Sequence, residues 1–331
     1  MLLLNQAAHI DLVPLFYKSI SLNSVLQFNQ FAATVQSNHT LAWRALPWQH
    51  VYQFAISIPY VYGASTPDPV LLADTLCAFP NLELLRIDIP VGGVEPLLWH
   101  EISQRAPFRL RRLHSSYMGP MIDFLRQQES IEEFHDISST QYMYKENFTI
   151  EAGKDLFFPK LKILKGIWDH VCLLVPGRPI SRLELYNRHE RAFENLFKYT
   201  SQASAPLLEF KVVQDTSHVS DVGRCILSWM QGLCYACKSL EKLEFQFECS
   251  SRHELKLFVS IAGVDTNILF DMLSQFSTLR VLTFGKVGAK NVIWPPETSY
   301  IESSLKSFSF WKNICPSLRF VLFFDDVLAE E

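Results

Sequence analysis

Glycine is scarce in this chain, with 12 in 331 residues. No dinucleotide fingerprint, kinase signature or G-x-S-x-G elbow occurs, which removes the commonest cofactor and nucleophile sites. Gly285-Lys-Val-Gly-Ala-Lys290 bears lysines but lacks the spacing of a phosphate-wrapping P-loop, so it reads as a loop after a strand. Basic blocks are missing too: none exceeds Arg111–Arg112, and 30 Lys+Arg against 34 Asp+Glu leave a net charge of −4. A nucleic-acid or anionic-membrane partner would leave a basic stripe, so neither class is expected. No apolar run approaches the ~20 residues of a membrane helix. The Met-Leu-Leu-Leu start has no cationic region of the kind that opens a signal peptide. A disulfide framework is absent as well. The 7 cysteines (77, 172, 225, 234, 237, 249 and 315) are odd in number and scattered, as expected of buried free thiols in the cytosol or nucleus.

What the chain does have is a returning phrase. FPNLELLRIDI at Phe79–Ile89 is echoed by FPKLKIL at Phe158–Leu164 and CKSLEKLEFQF at Cys237–Phe247. It returns as FSTLRVLTF at Phe276–Phe284 and CPSLRFVLFF at Cys315–Phe324. Each reads L-x-x-L-x-[LIVF], with Phe or Cys three residues before the first Leu, and that is the strand phrase of a leucine-rich repeat. Weaker copies begin at Val51, Leu110, Ile131, Ile180, Leu207 and Leu305. Most steps between copies lie near the ~20–29 residues of such a repeat. The step from Leu305 to Leu318 is too short for a full unit and is expected to form a C-terminal cap.

Between phrases the apolar period changes from two to about 3.6, as a strand-then-helix unit requires. Helices are expected in Val94–Ala106, Met121–Leu125, Ala192–Tyr199, Ile226–Cys237 and Ile268–Phe276. Prolines at 107, 159, 206 and 316 stand just ahead of strands, where they discourage further helix. Gly63–Pro69, Gln141–Asp155 and Glu248–Val264 read as loops or insertions. One such unit cannot bury its own apolar face, whereas stacked units share a core. The expected fold class is α/β: a leucine-rich-repeat-like solenoid, an irregular horseshoe. Its parallel sheet would line the concave face and its helices the convex one.

The first 22 residues differ from the rest. An apolar helix in Leu2–Leu12 runs into Pro14, and Leu15-Phe16-Tyr17 leads into a strand-like Ser19-Ile20-Ser21-Leu22. The segment Val13-Pro-Leu-Phe-Tyr-Lys-Ser-Ile-Ser-Leu22 resembles the junction between F-box and repeats in the F-box/leucine-rich-repeat proteins of mushroom-forming fungi. Phe79-Pro80-Asn81-Leu82 and Cys315-Pro316-Ser317-Leu318 resemble that family's strand entries. The Leu-Pro-x-Glu opening of an F-box does not occur, so only its last helix has a counterpart here. The resemblance divides the chain into a residual F-box-like helix and junction, 1–22, and a repeat array with its cap, 23–331. It implies substrate recognition for a Skp1–cullin–F-box ubiquitin ligase, with Skp1 docking through the N-terminus. The alternative is a free-standing repeat scaffold.

Chemistry-bearing patterns are few. Cys234-Tyr-Ala-Cys237 is the one C-x-x-C, and it closes an apolar helix rather than opening one, which suits core packing better than zinc or redox work. His253-Glu254 lacks the second His of a metalloprotease. Adjacent carboxylates such as Glu132-Glu133 point to opposite faces of a strand and share no site. No catalytic residue, cofactor or metal is expected. The candidate site is a surface. In L-x-x-L-x-L strands the Leu positions face the core, and the residue after the second one faces the concave side. Those positions are Arg86, His114, His135, Lys165, Glu184, Lys211, Glu244, Thr283 and Ser309, with Asp88, Tyr186 and Gln246 two residues on. As a protein-partner groove the row has Arg86 and Tyr186 as its hot-spot types. As a bland surface it merely solvates an exposed sheet. Its mixed signs imply no partner charge.

Overall fold

The computed structural model describes residues 12, 14–37, 47–58, 66–89, 95–115, 121–136, 157–167, 171–172, 174–187, 193–215, 222–248, 266–287, 307–323 and 326–329. Two compact units divide the chain, Met1–Leu161 and Lys162–Glu331. The loops expected in Gln141–Asp155 and after Glu248, and the helix expected in Leu2–Leu12 apart from Leu12, lie outside the described residues.

The first unit carries five parallel strands in chain order: β1 (Ser19–Leu22), β2 (Gln53–Ser57), β3 (Leu84–Asp88), β4 (Arg112–Ser115) and β5 (Glu133–Asp136). Between them run helices α1 (Val25–Ser37), α2 (Pro69–Cys77), α3 (Glu95–Arg105) and α4 (Ile122–Arg126), with a 3-10 turn at Pro47–His50. The start of α2 follows from two adjacent residues. Pro69 is preorganised for a first helical turn, and Asp68 Oδ1 accepts from the amides of Val70 and Leu71 at 2.8 and 3.1 Å.

The second unit repeats the plan with β6 (Ile163–Ile167), β7 (Arg182–Asn187), β8 (Glu209–Asp215), β9 (Lys242–Glu248), β10 (Val281–Lys286) and β11 (Phe320–Phe323), all parallel. A last strand, β12 (Asp326–Ala329), returns antiparallel beside β11. Its helices are α5 (Phe193–Thr200), α6 (Val222–Ala236), α7 (Thr266–Ser274) and α8 (Phe308–Ile314). Parallel neighbours need a crossover on each return, and the intervening helices supply it.

Each phrase buries its Leu positions. Leu82, Leu85 and Ile87 are core residues, as are Leu240, Leu243 and Phe245. So are the leading Phe79, Phe158, Cys237, Phe276 and Cys315, which occupy one equivalent position. Helix side chains meet the same face: Phe31 on α1 packs on Phe54, Trp229 on α6 packs on Phe210, and Trp311 on α8 packs on Phe284.

Within each unit, successive repeats are joined by a repeated backbone device. At most parallel strand entries two consecutive amides share one carbonyl of the preceding strand entry. Arg111 and Arg112 donate to Glu83 O, Glu241 and Lys242 to Leu208 O, and Arg319 and Phe320 to Arg280 O. Side chains reinforce it where a polar residue stands just before the first Leu. Asn81 donates to Gln49 O at 2.7 Å, Ser130 to Leu110 O at 2.8 Å, Thr278 to Leu240 O at 2.9 Å and Ser317 to Leu279 O at 2.8 Å.

Two expectations are corrected, and one strand is new. The described part of the copy at Leu305–Phe310 is not a strand: Phe308–Ile314 is helical and buries Trp311 against Phe284 and Phe323. Phe308 and Phe310 imitate a period of two, but the fully buried Trp311 sets the helix face. The antiparallel β12 was not expected. At the junction, residues 14–17 are helical where Leu15-Phe16-Tyr17 was read as a lead into the strand, and the strand at Ser19 is where it was expected.

Candidate functional site

The strand faces opposite the helices carry the residues singled out from the sequence, and the register sets them in rows. In the first unit Ala55, Arg86, His114 and His135 are successive cross-strand partners. In the second unit the row runs Lys165, Glu184, Lys211, Glu244, Thr283 and Leu322. Two residues on, Tyr186, Val213, Gln246 and Gly285 align, as Asp88 does with Ser57 in the first unit. Ser309 does not belong: it lies on α8, so its assignment to the sheet face is withdrawn.

The second unit's row is electrostatically closed. Glu184 is only 5% exposed, and Lys211 Nζ stands 2.9 Å from its Oε1 while Lys165 Nζ stands 3.7 Å from its Oε2. Tyr186 OH donates to the same Oε1 at 3.2 Å. Burial alone would push the Glu184 carboxyl up, but the Lys211 hydrogen bond and the two ammonium charges outweigh it and hold the group below its ordinary range. The Tyr186 phenol moves up, first through burial and then because ionising it would set a second negative charge beside Glu184.

A further row, one residue before the second apolar position of each phrase, was missed from the sequence. It holds Arg182, Glu209 and Lys242 as cross-strand partners. Arg182 Nε stands 3.4 Å from Glu209 Oε2, and Lys242 pairs with Glu244 along its own strand. Signs therefore alternate both along and across β7, β8 and β9. The missing signal was strand length: these strands start one residue earlier than the phrase suggests, so the second x of L-x-x-L also faces outward.

The first unit's row is looser. Arg86 pairs with Asp88 at 3.6 Å, with side chains 45% and 41% exposed, and Ser57 Oγ donates to Asp88 Oδ2 at 3.1 Å. The His114 and His135 rings meet edge to face with centroids 5.2 Å apart, and His114 Nε2 lies 3.6 Å from Glu133 Oε1.

Chemically this arrangement holds polar contacts in place. Its carboxylate is saturated by lysines, and no group of three or more His, Cys, Asp or Glu among the described residues is set to hold a metal ion. The C-x-x-C pair sits at the end of α6 facing inward. Cys234 Sγ donates to Met272 O at 3.2 Å and Cys237 Sγ lies 4.0 Å from Thr200 Oγ1. Burial pushes the two thiols up to about 12 and about 11, so both are poor nucleophiles. No helix among the described residues is long and apolar enough to cross a membrane. No family model matches the chain, and a search of curated proteins gave no match either.

Proposed function

We propose that this chain is a non-catalytic protein-interaction module, an irregular leucine-rich-repeat array that works in the cytosol or nucleus. The supporting observation is the register: within each unit, phrase after phrase sets outward side chains in rows on a sheet face while the helices pack on the other. Repeat arrays use such a face as an extended binding surface. Within this reading the chain is the substrate-recognition part of a Skp1–cullin–F-box ubiquitin ligase. The support is the resemblance of Val13–Leu22 to the family's F-box-to-repeat junction.

Two measurements separate the levels of this proposal. Tagged chain expressed in its own cells should co-purify Skp1 together with a substrate protein. Partner capture without Skp1 leaves the free-standing scaffold and ends the ligase reading. The combined Arg86→Ala and Tyr186→Ala variant should retain its fold by circular dichroism and weaken partner capture. Unchanged capture would reduce the rows to a solvated sheet face.

A further inference from the structure

We draw no further inference here: the strongest candidate, the exposed apolar side chains Leu15, Phe16 and Leu26 that flank β1 at the start of the first unit, carries nothing because nothing in the structure shows what covers them.

Discussion

The two units share one strand phrase and differ in what stands between its leucines. In the first unit the outward row is Ala55, Arg86, His114 and His135, and the ion pair of Arg86 with Asp88 is close to half exposed on both sides. In the second unit the equivalent row draws Glu184 to 5% exposure and encloses it with Lys165, Lys211 and Tyr186. The inward positions at the second apolar residue of each phrase, from Leu85 and Leu113 to Leu243 and Leu282, are interchangeable between units because each needs only apolar volume. The outward ones are not, since a buried carboxylate imposes requirements on every neighbour. The lesson is that the repeat sets the backbone, while the energetics of the outward face are decided locally.

The sharpest way to break this comparison is to remove one lysine. Lys211→Met takes away the closer of the two cations and leaves Glu184 buried and under-compensated, which should cost about 1–3 kcal/mol in urea unfolding. Arg86→Ala, the corresponding change in the first unit, should cost no more than about 0.5 kcal/mol, because exposed pairs contribute little. Equal costs would erase the distinction between the units.

Acid titration gives the next effect. Glu184 binds its proton more weakly folded than unfolded, so its contribution is present above the unfolded carboxylate range near ~4.3 and is lost as pH falls through the folded value. Stability of the wild type should decline along that limb, and Glu184→Gln should flatten it. A limb of the same slope in the variant would mean that other carboxylates carry the acid response. At the alkaline end the sign reverses. Tyr186 is held protonated in the folded state, so its contribution is full below the ordinary phenol range near ~10 and is lost as pH rises beyond it. Tyr186→Phe should remove that loss and, at neutral pH, cost about 0.5–1.5 kcal/mol for one hydrogen bond.

Much of this architecture was legible in the residues because the two periods are written plainly. The strands at Leu84, Lys242 and Val281 and the helices at Glu95 and Val222 follow directly from where leucine recurs every second or every third to fourth position. Phe308-Ser-Phe310 misled because a short apolar alternation fits either period, and only the contacts of Trp311 decide between them. β12 was hidden for a different reason: Asp326–Ala329 is too short to show a period, and its pairing with β11 is a matter of tertiary register. The outward row was found in the main, yet its energetic character was not. Nothing in the spacing of Lys165, Glu184 and Lys211 says that three strands from three phrases converge on one carboxylate. The row at Arg182, Glu209 and Lys242 was lost to a one-residue difference in where the strands begin.

The central claim is that the outward sheet face, and not the helical side, meets the partner. Lysine footprinting tests it directly, because lysines mark both sides of the second unit. Lys211 and Lys242 stand on outward strand positions, whereas Lys198 on α5 and Lys238, in the turn between α6 and β9, are exposed off that strand face. Acetylation of the chain alone and in complex with its co-purified partner should show Lys211 and Lys242 protected by the partner, with Lys198 and Lys238 unchanged. Protection of Lys198 and Lys238 with Lys211 and Lys242 still reactive would contradict the account.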